Sequence, residues 1–344
     1  MRAIAVLLVF LSHSGFHHIV PGGLGVTVFF FLSGFLITTL LKMEYEKTHT
    51  IDLRGFYLRR IYRLFPPLYI VIFLSWLLTQ IGFFASDLTL LGVGSQLLQL
   101  TNYHIIFEGK SGLLPGLGIL WSLAVEEHFY LVFPLLYLAL RKTGPLRQTL
   151  IVFIAACAAV LIWRVVYVYT WGLPEGYPDV GTYAYTYYAS EARVDSLLFG
   201  CIMAVGFNPA LSPTTIATWK RNALIAFGIA ALLFSLLYRS PEFRETWRYT
   251  LQGIALMPIF YFAICCPQLL IFKPLNIKPV VYIGKISYTF YLSHYLLIYV
   301  ASNLFGDSTA VKTIAGLVMT LLFSAAMYHY VEKYFGKLRK ALHR

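Results

Sequence analysis

A chain of 344 residues that is 59% hydrophobic and 12% charged, with a mean hydropathy of +0.71, is not a soluble globular domain, because such domains average about 25% charged residues. Its repeated apolar runs of about 20 residues suit membrane-crossing helices rather than a barrel. The net charge of +12 is accounted for by cytoplasmic loops rich in Lys and Arg and by attraction to anionic lipid, so no nucleic-acid partner is expected.

No polar block is long enough to build a separate soluble domain, so residues 1–344 are expected to form a single integral-membrane domain. Cys157, Cys201, Cys265 and Cys266 fall within apolar runs, without metal-ligand spacing, and read as small buried hydrophobes. The first apolar segment is not followed by a small-residue cleavage pattern, and it is expected to be retained as a helix.

The predicted fold is all-α: a polytopic transmembrane helix bundle of about ten spans, each near the length that a bilayer core requires. They are read near 2–16, 24–42, 65–84, 119–140, 149–171, 193–207, 221–239, 249–271, 284–305 and 310–332. A further apolar piece, 86–107, is interrupted by polar residues; it reads as a crossing, a re-entrant or an interfacial segment.

Charge asymmetry gives the orientation. Lys42, Lys47, Arg54, Arg59, Arg60 and Arg63 follow the second span. Arg141, Lys142 and Arg147, then Lys220 and Arg221, then Lys273, Lys278 and Lys285 mark later loops, and the tail adds Lys333, Lys337, Arg339, Lys340 and Arg344. All fall on one side if the ten spans alternate and 86–107 does not cross. Both termini are therefore expected in the cytoplasm, with the chain in a plasma or inner membrane. The opposite loops are aromatic and nearly balanced in charge, as in the stretch 171–193; Arg239, Arg244 and Arg248 are exceptions.

The first stretch, RAIAVLLVFLSHSGF, places Arg2 and His13 eleven residues apart. On an ideal helix these positions lie within roughly 20° of one face and about 16 Å apart. His13 sits about 18 Å along its helix, and Glu126 about 10 Å into its span from the other side, so both are expected in one layer. Arg164, Arg193 and Asp195 fall near the same end of their spans. An acid, a base and two arginines are expected to gather in the outer half of the bundle.

Each candidate has a plainer reading beside the chemical one. His13 suits a general base, since imidazole titrates near neutral pH; it also suits a core histidine bonded to a neighbouring helix. With His17 and His18 it offers an i, i+4 metal pair, but no Asp, Glu or Cys completes the set locally, and no metal is expected. Glu126 shares a helix face with Ser122 and Tyr130 and reads either as the group that orients the imidazole or as a paired structural carboxylate. Arg60 and Arg63, in FYLRRIYRLFPP, share a face at i, i+3. They read as topology markers or as a site for a polyphosphate-bearing ligand, for which Arg is suited by its bidentate fork. Gly22, Gly23 and Gly25 are expected to form a turn between the first two helices, either as a bare turn or with backbone N–H groups offered to an oxygen. His294 lies near mid-span and reads as a cavity-lining or a core histidine.

These residues together resemble the membrane-bound acyltransferase 3 family over essentially the full length. RAIAVLLVFLSH is similar to its first-helix arginine–histidine pattern. PGGLGVTVFFFLSGFLIT, FYLRRIYRLFPP and WSLAVEEHFYLVFPLL resemble its glycine-rich, arginine and central motifs, and ARVDSLLFG, ISYTFYLSH and VEKYF its weaker later segments. There are departures: Thr27 stands where members often carry an acid, His128 stands where glutamine is common, and the chain starts close to its first arginine, without the few residues that usually precede it and without a fused extracellular domain after the last helix. The resemblance implies an O-acyltransferase. Acyl-CoA, by default acetyl-CoA, would enter from the cytoplasm with its phosphates on the arginines: Arg60 and Arg63, with Arg2 and Arg59 beside them. His13 would be the catalytic base or would carry the acyl group transiently, a choice the sequence does not make, with Glu126 assisting it, and a carbohydrate hydroxyl would be the acceptor. Gly22, Gly23, Ser122, Arg164, Arg193, Asp195 and His294 would line the site. A transporter or flippase of a sugar or lipid-linked glycan is the alternative from the same intramembrane charges. The acceptor's identity, the acyl group and the oligomeric state are not readable from the sequence.

Overall fold

The structure, a computed structural model, describes residues 1–173 and 182–341. The loop stretch 174–181 and Arg344, used above for topology, lie outside the described residues, as does the side chain of Lys340. In chain order the helices are α1 (Arg2–Leu11), running into a π turn at Ser12–Phe16; α2 (Gly22–Thr48); α3 (Leu53–Gln80); α4 (Leu90–Leu97); α5 (Thr101–Glu108); α6 (Leu120–Thr143); α7 (Leu146–Trp171); α8 (Thr182–Tyr188); α9 (Ser190–Gly206); α10 (Thr218–Leu237); α11 (Pro241–Glu245); α12 (Trp247–Cys265); α13 (Lys278–Phe305); α14 (Thr309–Met327), followed by a π turn at Tyr328–Glu332; and α15 (Lys333–Ala341). Among the described residues the chain is all-helical, without strands.

Among the described residues, 6 helices are long and apolar enough to cross a membrane: α2, α3, α6, α7, α10 and the continuous stretch Thr309–Arg339. The other expected spans are also helices but fall short by that measure. α1 with its π turn is short, and α9 has 17 residues. α12 and α13 carry buried polar groups, among them Thr250 and Gln252 in one and Ser287, Thr289, Ser293 and His294 in the other. Nearly every residue of α9 is buried, so protein rather than lipid surrounds it and its composition need not be that of a lipid-facing span. The 86–107 piece resolves into α4 and α5, each of 8 residues and so only about 12 Å long.

The chain divides into two compact units. The first comprises Met1–Val26, Asp52–Ala124 and Pro279–Arg344; the second comprises Thr27–Ile51 and Val125–Lys278.

In the first unit α1 buries Ala3, Ala5, Val6, Val9 and Phe10. Gly15, at φ 118°, takes a conformation that a side chain would oppose, and the helix ends there in its wide turn. The expectation of a glycine turn at PGGLGV is corrected: Gly22, Gly23 and Gly25 lie within the first turns of α2. The small size of Gly22 and Gly25 serves close packing there. A Cβ on Gly22 would stand 2.7 Å from the Ser12 side chain, and one on Gly25 would stand 2.5 Å from the Ala5 carbonyl oxygen. The basic segment is helical from Leu53 onward, ahead of the span expected to begin near 65. Asp52 caps α3 by accepting from the Gly55 N–H at 2.9 Å, and the helix then runs through Arg59, Arg60, Arg63, Pro66 and Pro67.

In the second unit α2 and α9 cross at glycines on both sides. A Cβ on Gly34 would lie 1.9 Å from the Leu197 carbonyl oxygen, and one on Gly200 would lie 2.1 Å from that of Phe31. Such backbone-to-backbone approach through small residues is how helices associate where no hydrophobic drive separates protein from lipid. Arg248, exceptional by the charge rule, is held locally: it donates to the Tyr249 hydroxyl at 2.7 Å.

Candidate functional site

His13 stands in the π turn that ends α1, half-buried. Such turns appear mostly as local bulges, frequently at functional sites. Because the turn begins at Ser12, the ideal-helix spacing that related Arg2 to His13 holds only as far as Leu11. The Nδ1 of His13 is 2.8 Å from the Nε2 of His294. The ring planes are 14° apart with centroids 5.1 Å apart. With so short a nitrogen–nitrogen distance, the rings meet edge to edge and near coplanar rather than face to face. Tyr295 packs against the His13 ring at 4.6 Å.

His294 is fully buried on α13. Its other nitrogen, Nδ1, lies 2.6 Å from the Tyr291 carbonyl oxygen. One turn of α13 thus carries both the imidazole and the carbonyl that bonds it. The Tyr291 hydroxyl in turn meets Ser122 Oγ at 2.6 Å, which ties the start of α6 to the same stretch. The sequence singled out His13, His294 and Ser122 separately, and the structure brings the two histidines into direct contact. Tyr291 and Tyr295 were passed over. Their signal was present, since they sit at −3 and +1 of His294 in ISYTFYLSHYLL, but tyrosine is so abundant here that position alone did not mark them.

Arg59, Arg60 and Arg63 of α3 are part-exposed. Arg59 Nη1 lies 3.8 Å from Asp52 Oδ2, and the Arg60 guanidinium lies 5.7 Å from the centre of the Phe56 ring. Arg63 attracts Glu332 electrostatically. Glu332 belongs to the second π turn and accepts from Thr289 Oγ1 at 2.5 Å. Near the arginines, Tyr288 donates to the Leu64 carbonyl at 2.7 Å, so α13 is fastened to α3 just below them. Glu332 was visible beforehand only as the acid of VEKYF. Arg2, at the other end of α1 from His13, is part-buried.

In the second unit Glu126 is half-buried. It accepts from Ser33 Oγ at 2.9 Å and from the Tyr130 hydroxyl at 3.0 Å. The bond to Tyr130 follows from their four-residue spacing on α6. Arg164 and Asp195, both without solvent exposure, form an ion pair with Nη2 and Oδ2 2.6 Å apart. Thr250 Oγ1 bonds both partners, at 2.6 Å and 3.1 Å, and Arg164 Nη1 also donates to the Ala192 carbonyl at 2.7 Å. Arg164 is expected from the sequence to gather with Glu126; its ion pair is with Asp195. Arg193 is held differently, donating to the Tyr187 carbonyl at 3.1 Å and to Thr27 Oγ1 at 3.4 Å. Its guanidinium lies 3.9 Å from the centre of the Tyr249 ring, within range of a cation–π contact. Thr27 therefore meets a cation through its hydroxyl.

Among the described residues, no three His, Cys, Asp or Glu come together to hold a metal ion. His17 and His18 pack on each other with ring centroids 3.7 Å apart.

Comparison with known proteins bears on this arrangement. The chain is 29% identical to an O-acetyltransferase, OatA, of Staphylococcus aureus, over 96% of this chain and 55% of that protein. It is 29% identical to a putative peptidoglycan O-acetyltransferase, YrhL, of Bacillus subtilis, over 97% of this chain and 53% of that one. It is 32% identical to a peptidoglycan O-acetyltransferase, OatA, of Listeria monocytogenes, over 87% of this chain and 48% of that one. The chain thus spans about half the length of the curated relatives it matches. No solved structure matches it. The acyltransferase domain of the acyltransferase 3 type matches residues 1–329, and with the motifs around His13, Arg60 and Glu126 inside that match, the chain belongs to the acyltransferase 3 family.

Proposed function

We propose that this chain is a membrane-bound O-acyltransferase that moves an acyl group, acetyl by default, from acyl-CoA to a carbohydrate hydroxyl of the cell envelope. The observation that carries this reading is the hydrogen-bonded pair of His13 and His294, within a chain that belongs to an acyltransferase family. A histidine held by a second group is the arrangement expected of a general base. The names of the relatives make peptidoglycan the first acceptor to try.

In this reading the acceptor hydroxyl gives its proton to His13 as its oxygen bonds to the thioester carbonyl carbon. The C–S bond breaks, and the CoA thiolate takes the proton from His13. Arg60 and Arg63, with Arg2 and Arg59 as further cations, hold the phosphates of the donor; their part-exposed position on one helix supports this role. Glu126 belongs to the catalytic set on its place in the central motif, and the two hydroxyls that donate to it hold its carboxyl group in place. Gly22, Gly23, Ser122, Arg164, Arg193, Asp195 and His294 shape the site. The bundle has about ten spans, counting the four short or polar helices beside the six apolar ones, and both termini face the cytoplasm, which the distribution of Lys and Arg supports. The membrane portion acts as one domain over 1–344.

The test is purified protein in detergent, supplied with acetyl-labelled CoA and peptidoglycan fragments. Label is expected on the glycan, with His13→Ala lowering transfer by about 10²- to 10⁴-fold at an unchanged melting temperature. Full activity in that variant would remove His13 as the base. Movement of glycan across a vesicle membrane without acetylation would favour the transporter reading instead.

A further inference from the structure

The bonds around His294 fix more than its position. The Tyr291 carbonyl oxygen, 2.6 Å from His294 Nδ1, can only accept a hydrogen bond. His294 Nδ1 must therefore carry the proton. A fully buried imidazolium is costly, so His294 is neutral in the resting chain and its Nε2 holds a lone pair. The nitrogen 2.8 Å away, Nδ1 of His13, must then be the donor. With its own single proton on Nδ1, neutral His13 presents Nε2 as its basic nitrogen. The chain of donors runs one way, from His13 through His294 to a backbone carbonyl that cannot reverse it. Of the two rings, the half-buried one is at the reactive end and the fully buried one is behind it.

We infer that His294 is a positioning residue that fixes His13 as the Nδ1–H tautomer and so makes Nε2 of His13 the atom that takes the acceptor proton. This rests on the reading of His13 as the base. His294 itself touches neither substrate in this scheme. Its effect resembles that of a carboxylate behind a catalytic histidine, but without a net charge, which suits a site inside an apolar bundle. As the imidazolium forms on His13, His294 Nε2 remains an acceptor facing its Nδ1–H, and the Tyr291 carbonyl dipole supports the pair from behind.

Two substitutions separate this role from packing. In His294→Asn the short amide still reaches the Tyr291 carbonyl but not His13. In His294→Gln an amide oxygen stands close to where Nε2 was and can accept from His13. The measurement is the imidazole ¹⁵N spectrum of the full chain in nanodiscs, labelled at histidine and assigned with His13→Ala, alongside kcat and KM. In the native chain and in His294→Gln, Nδ1 of His13 is expected to give the protonated-type resonance and Nε2 the unprotonated type. His294→Asn is expected to convert His13 to the Nε2–H form. It should also lower kcat by about 10²-fold, with KM for both substrates unchanged, the scale seen when an orienting partner is lost. His294→Gln should recover all but about tenfold of that loss. An Nε2–H resonance for His13 in the native chain overturns the proposal, as does a His13 tautomer that His294→Asn leaves untouched, even if activity falls. Full activity in His13→Ala would remove the base reading, yet the spectra would still decide by themselves whether His294 sets the tautomer.

Discussion

The two units each bury a pair of polar side chains, and the pairs are opposites. In the first unit two imidazoles share one hydrogen bond, one ring is part-exposed, and the pair can be neutral. In the second unit Arg164 and Asp195 are charged, wholly enclosed and bonded on several sides, with Thr250 bridging both. Burying a charge inside a bundle is tolerated only with a partner, and such a pair gives little net stability beyond what its removal would cost. The difference separates what chemistry needs from what architecture needs. A proton acceptor requires an unsatisfied lone pair within reach of a ligand, and in the proposed tautomer His13 would offer one at Nε2. The ion pair has spent its strongest bonding groups on itself.

The most severe test of that contrast is to break the ion pair from one side. Asp195→Ala leaves the Arg164 guanidinium buried without its counter-charge, and is expected to destabilise the fold by about 3–5 kcal/mol. The companion variant Arg164→Met with Asp195→Leu removes both charges and should return most of that stability, read as the melting temperature in one detergent. Recovery of acyl transfer in the double variant would make the pair purely architectural. Continued loss at restored stability would return Arg164 and Asp195 to the substrate.

Next in size is packing. Gly34→Ala drives a methyl into the Leu197 carbonyl, 1.9 Å away, where no side chain can yield. Overpacking of this kind costs about 1–3 kcal/mol. Gly25→Ala makes the equivalent intrusion in the first unit, 2.5 Å from the Ala5 carbonyl. If the units carry separate roles, Gly25→Ala will shift α1 and disturb transfer, while Gly34→Ala will lower the melting temperature with a smaller effect on kcat. Equal effects on both readouts would break the division.

How much of this was legible beforehand depends on the range over which each signal acts. Apolar runs act locally, so the helical class, the longer helices and the burial of Cys157 and Cys201 were readable, whereas Cys265 and Cys266, also expected to be buried, are part-exposed. His13, Arg164 and Asp195 stood out because ionisable residues are rare in such runs. Contacts between distant segments were not readable. His13 and His294 are 281 positions apart, and no single-sequence pattern joins them. The pairing of Arg164 with Asp195 rather than Glu126 was hidden for the same reason: all three sit at plausible depths, and depth does not give azimuth. The glycines of PGGLGV misled because glycine serves both turns and close packing. Here the neighbouring Ser12 and Ala5, not the local sequence, decide for packing. The π turn at Ser12–Phe16 was also invisible, since every residue up to Ser14 is compatible with ordinary helix.

The cations of α3 offer a milder probe of the contrast between enclosed and part-exposed charge. Arg60 and Arg63 are part-exposed on one helical face, unlike Arg164 and Arg193, which are fully buried. Arg60→Ala with Arg63→Ala is expected to weaken CoA binding by about tenfold, since an exposed guanidinium–phosphate contact contributes on the order of 1 kcal/mol. Thermal shift against CoA concentration reads this directly. Unchanged CoA affinity would reduce both arginines to markers of topology.

The smallest expected effect comes from an ion pair in the opposite environment to that of Arg164 and Asp195. Asp307, in the loop between α13 and α14, is 75% exposed and bonds Lys312 Nζ at 2.6 Å. Lys312, and after it the Ser302 hydroxyl, hold its carboxyl below the ordinary value of 3.8. A carboxylate whose pKa is depressed on folding contributes stability above its unfolded value, and that contribution fades as pH falls through the folded value. Any stability owed to this pair is therefore present at neutral pH and fades only below about pH 4, so Asp307→Asn should lower the melting temperature slightly at neutral pH and remove the small further fall below pH 4. Because solvent reaches it, high salt should raise the Asp307 pKa towards normal, measured by carboxyl NMR of the labelled chain, while leaving the enclosed Arg164–Asp195 pair untouched. A salt response in the stability lent by the enclosed pair, equal to that at Asp307, would mean that solvent reaches both and that the second unit's charges are as available to a ligand as the first unit's imidazole.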